Sequence, residues 1–247
     1  MLFRSNKEDI VRFVENRFAE HHGKSSIQIT AHDVDTAIDQ LNKNSSAGLD
    51  GIMAEYLIYG RSLIFLKHLA ELYTFIISKT IVPEVFQVGK IIPVHKKSTL
   101  SVNVTDSYRP ITVSSSYAKV FELLLGFDDK AGKTQFGFRK GRSSIMACNL
   151  LNNVCCVFKD QKSPLFISTL DAVKCFDKIW HPGLFYKLYG HMDHIYWVFM
   201  IKWYSLMKGV VTWNGCQSEV FKITRGTRQG SILSPGFFNV FIDDLLQ

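Results

Sequence analysis

An aspartate that directly follows an apolar run is the first candidate for chemistry in this 247-residue chain. Residues 165–170 are Leu-Phe-Ile-Ser-Thr-Leu, and Asp171 comes next. A carboxylate at the C-terminal end of a buried strand is a common site position in folds that combine strands and helices. Carboxylates in such places bind Mg²⁺ together with substrate phosphates. Asp171 is therefore a candidate metal ligand and catalytic residue. The alternative is a helix cap or a surface turn.

Polar and basic residues elsewhere have the chemistry to bind a nucleotide. Residues 225–235 form a polar turn between a predicted strand and a predicted helix, where backbone N–H groups and Gln229 could face a nucleotide or a template. Lys96, Lys97 and Arg109 lie on or next to two further predicted strands. Arginine can donate two parallel hydrogen bonds to one phosphate, whereas lysine acts as a point charge. These three cations could close on a triphosphate.

A third segment mixes aromatic and basic side chains. Residues 135–144 are Gln-Phe-Gly-Phe-Arg-Lys-Gly-Arg-Ser-Ser. Aromatic rings stack on the bases of single strands, while neighbouring cations bind the phosphate backbone. This segment is therefore a candidate for contact with single-stranded nucleic acid.

The elements that must position these residues are predicted to be a mixture of helices and strands. Thr30 and Asp33 form a capping box at the start of a helix, and the turn residues Asn214-Gly215 predict a β-hairpin. Apolar periodicity predicts strands over 90–97, 108–113, 165–170, 210–213 and 219–223. It predicts helices within 1–28, from Thr30 to Leu41, and over 52–59, 62–78, 118–125, 143–158, 182–189, 195–207 and from Ser234 onward.

Composition and charge narrow the class of protein. Hydrophobic residues make up 47% and charged residues 21%, which excludes a disordered or collagen-like chain. No apolar run approaches the roughly 18 residues of a membrane span, and no signal peptide is visible, so we expect an intracellular, soluble protein. Five scattered cysteines favour buried free thiols over a disulfide or zinc framework.

The net charge of +7 is concentrated in one region. Residues 86–142 hold ten basic and four acidic residues, a local excess of six positive charges. Such a region favours a polyanionic partner, such as nucleic acid or a triphosphate. The alternative is a solvated lysine-rich surface.

Together these segments resemble the reverse transcriptases of non-long-terminal-repeat (LINE-type) retrotransposons. The resemblance runs from about Ile29 to the last residue and rests on six ordered motifs, each weak alone. They are Ser46-Ala-Gly-Leu-Asp-Gly-Ile52, Ile91-Ile-Pro-Val-His-Lys-Lys97, Ser107-Tyr-Arg-Pro-Ile111, Gln135-Phe-Gly-Phe-Arg-Lys-Gly-Arg142, Leu170-Asp-Ala-Val-Lys-Cys-Phe-Asp177 and Gly226-Thr-Arg-Gln-Gly-Ser-Ile-Leu-Ser-Pro235. The resemblance implies an α+β right-hand polymerase: an N-terminal helix and linker over 1–28, a fingers-like region over 29–145, and a partial palm with an incomplete antiparallel sheet over 146–247.

The resemblance also implies a role for each matching residue. Asp171 matches the first metal-binding aspartate of the palm, and Phe176 matches the bulky residue that packs under the sugar and disfavours a 2′-hydroxyl. Lys96 or Lys97 and Arg109 match the finger cations on the incoming triphosphate. Gln229 and Gly230 match the loop that shapes the nucleotide and template pocket, and Arg139 and Arg142 match a template-side segment. The implied cofactor is Mg²⁺, and the implied partners are an RNA template, a DNA primer and a deoxyribonucleoside triphosphate.

Two departures from the family pattern bear on activity. The family supplies further carboxylates from an aromatic-x-Asp-Asp hairpin. Here Phe241-Ile-Asp-Asp244 has the letters of that box but follows Gln229 by only 12 residues, on the helix begun by Ser234, so we expect it to be helical. The true box would then lie beyond Gln247. Residues 126–134 are also shorter than the corresponding family segment.

These observations leave three functions open. The first is an RNA-directed DNA polymerase fragment that uses two-metal nucleotidyl transfer in the complete enzyme. The second is a catalytically inactive remnant that binds RNA or DNA through its basic region. The third is a protein-interaction fragment. We expect the 247-residue chain alone to be inactive; its oligomeric state stays open.

Overall fold

The computed structural model describes residues 6–20, 27–97, 99–127 and 134–245. Ten α-helices and five short strands are present in these ranges. In chain order they are α1 (Lys7–Ala19), α2 (Ala31–Asp39), α3 (Ala54–Gly60), α4 (Leu63–Ser78), α5 (Glu84–Gln87), β1 (Val88–His95), β2 (Tyr108–Val113), α6 (Ser116–Leu124), α7 (Ser144–Asp160), α8 (His181–Leu188), α9 (His194–Ser205), β3 (Lys208–Trp213), β4 (Cys216–Gln217), β5 (Phe221–Lys222) and α10 (Ser234–Ile242).

Local sequence signals account for most of these helices. Thr30 accepts a hydrogen bond from the Asp33 backbone N–H, and the Asp33 side chain accepts one from the Thr30 N–H, so the predicted capping box opens α2. The apolar stripe of α4 is buried through Leu66, Leu69 and Tyr73. None of the helices in the described part of the chain has both the length and the apolarity needed to cross a membrane.

Helices α2, α4, α6, α8, α9 and α10 bury one shared hydrophobic core. Its aromatic centre contains Phe121, whose ring lies 5.4 Å from that of Phe86 and 4.9 Å from that of Phe199. Trp203 packs 5.3 Å from Phe86 and donates its indole N–H to the Phe86 carbonyl at 2.8 Å. Phe86 belongs to α5, which leads directly into β1, so this contact attaches the sheet to the helical core.

The fold is α+β, as predicted, and its sheet is mixed: the strands after residue 146 pair antiparallel, whereas β1 joins β3 in parallel. Its strand order is β2-β1-β3-β4, and β5 also pairs with β3. β1 is antiparallel to β2 but parallel to β3. The chain can join parallel strands only through a long connection, and here the residues between β1 and β3 include α6 to α9. The sheet therefore unites strands from both sides of the boundary predicted near residue 145, and the boundary itself stays a prediction.

The prediction of a buried strand over residues 165–170 is wrong. These residues have no regular secondary structure, and Phe166 and Leu170 are 93% and 96% exposed. The preceding α7 was predicted correctly as a helix, yet none of its residues, all of which the structure describes, is buried. A strand needs a neighbour for its backbone N–H and C=O groups, and the described strands do not pair with this segment.

The C-terminal helix has the predicted form. Phe241 and Ile242 end α10, and residues 243–245 continue as one 3₁₀ turn, so the helical prediction is confirmed from Phe241 to Leu245. Leu233 occupies the N-cap position and Ser234 is the first helical residue, so the helix begins one position earlier than a cap at Ser234 would place it.

Some predicted features lie outside the described residues. They include residues 1–5 and 21–26 of the N-terminal region, 128–133 of the shortened segment, and 246–247 at the C-terminus. The five cysteines are free, but none is buried, contrary to expectation.

Candidate functional site

A cavity of about 690 Å³ lies beside β1, β2 and β3. Its walls are formed by the strands, the loop before β2 and the turn that follows Asp171. Four of the predicted site residues line it: Lys96, Arg109, Phe176 and Gln229. In the sequence these residues lie up to 133 positions apart, so the fold brings distant motifs into one place.

The loop over residues 226–232 joins the sheet to the turn after Asp171. Gln229 accepts a hydrogen bond from the Thr112 N–H of β2 through its backbone carbonyl, at 2.7 Å. Its side-chain amide donates to the Asp177 carboxylate, also at 2.7 Å. The Thr227 N–H donates to the Phe176 carbonyl at 2.8 Å. These bonds fix the Gln229 side chain between β2 and the turn that carries Phe176.

Glycine is required at two positions of this loop. Gly230 has a φ of +125°, and a Cβ there would lie 2.4 Å from the Thr112 carbonyl oxygen. Gly226 has a φ of +84°, and its Cβ would lie 2.8 Å from the Phe176 carbonyl oxygen. Both the dihedral angle and the close approach of backbone exclude a larger residue. The glycines therefore allow the loop to touch both of its neighbours.

A buried carboxylate on α6 holds the other side of the loop. Both Glu122 carboxylate oxygens accept from the Ser231 hydroxyl at 2.9 Å, and Oε2 accepts from the Ile232 N–H at 2.7 Å. Burial raises the pKa of Glu122, although these hydrogen bonds act in the opposite direction. Sequence analysis missed Glu122. The available signal was a charged residue flanked by Phe121 and Leu123 inside an apolar helix.

Arg228 is likewise buried and was not predicted. Its guanidinium donates to the Phe86 carbonyl at 2.7 Å and to the Gln87 carbonyl. Burial lowers the pKa of Arg228, whereas the nearby Glu122 carboxylate raises it. Arg228 thus attaches the loop to the chain just before β1, and it acts as a structural cation rather than a ligand-binding one.

Phe176 lines the cavity and packs among other aromatic rings. It stacks on Phe238 of α10 with ring centroids 4.7 Å apart. Phe138 meets it edge-on at 5.7 Å. Phe138 belongs to the mixed aromatic and basic segment, so that segment approaches the cavity through a ring rather than through its cations.

The predicted template-side arginines lie in a compact turn. Arg142 donates to the Gln135 carbonyl at 3.0 Å and lies 5.4 Å from the Phe136 ring. The Gln135 side chain in turn donates to the buried Asn239 of α10 at 2.9 Å. Arg139 is half-buried in the same turn, and its backbone carbonyl accepts from the Arg142 N–H at 3.2 Å. Arg142 therefore orders its own segment, which docks on α10 through Asn239.

The cavity also holds a cation that sequence analysis missed. Lys174 pairs with the Asp106 carboxylate at 2.7 Å, across 68 positions of sequence. Lys96 donates to the Asp106 backbone carbonyl at 2.7 Å. The remaining predicted residues of the described chain, Lys97, Gly230 and Asp171, lie outside the lining of the cavity.

Asp171 is exposed. Within the described residues no group of three or more His, Cys, Asp or Glu side chains is placed to hold a metal ion. Asp244 of the helical tail instead pairs with Lys187 of α8 at 2.8 Å. A two-metal site needs several carboxylates around its ions, so the described residues alone do not fit one.

Comparison with known proteins adds independent evidence. The family model described as "Reverse transcriptase (RNA-dependent DNA polymerase)" matches residues 94–247. The chain is 27% identical to the RNA-directed DNA polymerase from mobile element jockey of Drosophila funebris over 230 residues, which is 88% of this chain and 24% of that protein. It is 26% identical to the probable RNA-directed DNA polymerase from transposon BS of Drosophila melanogaster over 227 residues, 88% of this chain and 25% of that protein. It thus spans about a quarter of the length of these curated relatives.

Proposed function

This chain belongs to the reverse transcriptase (RNA-dependent DNA polymerase) family, and from that premise we propose that it is the fingers and partial palm of a non-LTR retrotransposon polymerase. The observation that carries the proposal is the shared cavity of Lys96, Arg109, Phe176 and Gln229. Cations and an aromatic ring in the lining of one cavity suit the phosphates and the sugar of one nucleotide.

The proposed ligand of the cavity is a deoxyribonucleoside triphosphate. Lys96 and Arg109 bind its phosphates, and Phe176 packs under its sugar. The rings of Phe138 and Phe238 hold Phe176 from two sides, which lets it act as a rigid surface. Gln229, fixed by Thr112 and Asp177, contributes an amide and backbone groups to the pocket. Lys97 and Gly230 act through their neighbours Lys96 and Gln229.

The proposed macromolecular partners are an RNA template and a DNA primer. Arg139, within the turn that docks on α10, contacts template phosphates, and Arg142 keeps that turn in shape. Reverse transcriptases use divalent metal ions, and we assign Asp171 as one Mg²⁺ ligand of the longer protein. The further carboxylates that nucleotidyl transfer requires are not supplied by the described residues.

Equilibrium binding of a fluorescent deoxyribonucleoside triphosphate to the purified 247-residue chain tests this function. Replacing Arg109 with Ala should weaken binding by about ten- to a hundredfold, because a charge-assisted hydrogen bond contributes about 1.5–3 kcal/mol. The matched control is Arg12→Ala, which removes the same charge from an exposed position on α1. Absence of triphosphate binding, or equal losses in the two variants, would refute the proposed site.

A further inference from the structure

Two lysines from distant parts of the chain converge on Asp106 in the wall of the cavity. The Lys96 ammonium donates to the Asp106 backbone carbonyl, and the Lys174 ammonium pairs with its carboxylate, both at 2.7 Å. Asp106 belongs to the loop before β2, whereas Lys174 belongs to the turn that carries Phe176. The single carboxylate of Asp106 therefore bridges the two walls of the proposed nucleotide pocket.

The Asp106–Lys174 pair is placed so that it can exchange partners. Its side chains are 71% and 49% exposed, so water and salt screen their attraction and the pair is weak. The Lys174 ammonium lowers the pKa of Asp106, and the Asp106 carboxylate raises the pKa of Lys174, so both groups stay charged near neutral pH. Lysine carries its charge on a long flexible stem and can follow an incoming anion.

The loop that carries Asp106 does not depend on this pair for its shape. The Lys96 N–H donates to the Ser107 carbonyl at 2.8 Å, and the Tyr108 hydroxyl donates to the Val102 carbonyl at 2.9 Å. Removal of the Asp106 carboxylate therefore releases Lys174 while the loop stays anchored to β1 and β2.

Carboxylate and phosphate oxygens accept hydrogen bonds from the same cationic donors. Lys174 lines the same cavity as Lys96 and Arg109. Building on the proposed nucleotide site, we propose that Lys174 is a further phosphate-binding residue and that the Asp106 carboxylate holds it until a nucleoside triphosphate displaces that carboxylate. Asp106 is thus an internal competitor for the ligand.

Titration of four proteins with a fluorescent deoxyribonucleoside triphosphate tests this proposal: the unmodified chain, Asp106→Asn, Lys174→Ala and the double variant. Asp106→Asn should bind about two- to fivefold more tightly, the range expected for release of an exposed ion pair. Lys174→Ala should bind about two- to fivefold more weakly. In the Lys174→Ala background, Asp106→Asn should have no further effect, because the Asp106–Lys174 ion pair, the proposed latch, is already broken.

Two controls separate the latch from general electrostatics. Asp39→Asn removes the same charge from the distant α2 and also breaks an exposed ion pair, between Asp39 and Arg61 at 2.6 Å. It should leave triphosphate affinity unchanged. The corresponding fluorescent nucleoside, which lacks phosphates, should bind the unmodified chain and Asp106→Asn equally.

The possible results distinguish failure of the proposed nucleotide site from failure of the Asp106–Lys174 proposal alone. If neither the unmodified chain nor Asp106→Asn binds triphosphate, the proposed nucleotide site fails and this inference fails with it. If the unmodified chain binds and Arg109→Ala weakens binding, but Asp106→Asn does not tighten it, only the latch is overturned. If Asp106→Asn tightens triphosphate binding equally with and without Lys174, the removal of a negative charge near the cavity is sufficient, and the latch is also overturned.

Discussion

Replacing Gly230 with Ala should both destabilise the folded chain and weaken triphosphate binding at the proposed pocket. The new Cβ would lie 2.4 Å from the Thr112 carbonyl oxygen, at a backbone φ of +125°. A residue in such a sparsely populated conformation costs about 1–3 kcal/mol, and forcing an extra methyl group into a packed site costs about another 1–3 kcal/mol. The two effects predict a loss of about 2–6 kcal/mol in the free energy of unfolding.

Two other glycines provide matched controls that separate strain from steric overlap. Gly51 has a φ of +70° with nothing within 4 Å of the added Cβ, so Gly51→Ala carries backbone strain alone, about 1–2 kcal/mol. Gly60 has an unstrained φ and equally open space at the end of α3. Gly60→Ala should therefore be neutral or stabilise by up to about 1 kcal/mol. The expected order of stability is Gly60→Ala, then Gly51→Ala, then Gly230→Ala.

Thermal unfolding and triphosphate binding measure the two consequences of the Gly230 change. A loss of 1 kcal/mol lowers Tm by about 2–4 °C in a chain of this size, so Gly230→Ala should lower Tm by about 4–24 °C. Triphosphate affinity should fall only in Gly230→Ala, because the shifted loop carries Gln229. A Gly230→Ala protein with the Tm of Gly51→Ala and unchanged triphosphate affinity would refute the steric argument.

Three further predictions concern other parts of the chain. Glu122→Ala should lower the free energy of unfolding by about 3–5 kcal/mol, because it removes the buried acceptor of the Ser231 and Ile232 hydrogen bonds and a negative charge near the buried Arg228. Chemical denaturation measures this loss, and a loss below about 1 kcal/mol, the size of a single net hydrogen bond, contradicts the prediction. The 247-residue chain should bind single-stranded RNA with an affinity that falls as the salt concentration rises, and Arg139→Ala should lower the affinity for unrelated RNA sequences to a similar extent. The chain should extend no primer. Salt-insensitive binding or primer extension would count against this prediction. The chain should aggregate through residues 165–170, and Phe166→Ser should raise its solubility without lowering Tm; cooperative unfolding of the unmodified monomer above about 60 °C would argue that its exposed apolar surface is harmless.

Local signals in the sequence predicted the features that depend on neighbouring residues. The capping box at Thr30, the helical form of Phe241 to Leu245 and the exact extent of β2 all follow from short-range patterns. The positions of Glu122 and Arg228 in one buried network could not be predicted in this way. Their partners lie on elements more than 100 positions away in the sequence, and no short-range rule selects such a partner.

The proposed site has two parts, the nucleotide pocket and Asp171, and the wrongly predicted strand over residues 165–170 affects only the second. An apolar run favours a strand locally, but a strand exists only where a neighbour satisfies its backbone. The proposed nucleotide pocket does not depend on this segment, because β2, α6 and the turn at Phe176 and Asp177 hold the loop of Gln229. Asp171 has no comparable support: it is exposed, and it follows a segment without regular secondary structure in which Phe166 and Leu170 are almost fully exposed. The proposed nucleotide binding and the placement of Asp171, the proposed metal ligand, therefore rest on different parts of the structure, and we expect the chain to bind nucleotide without holding a metal ion at Asp171.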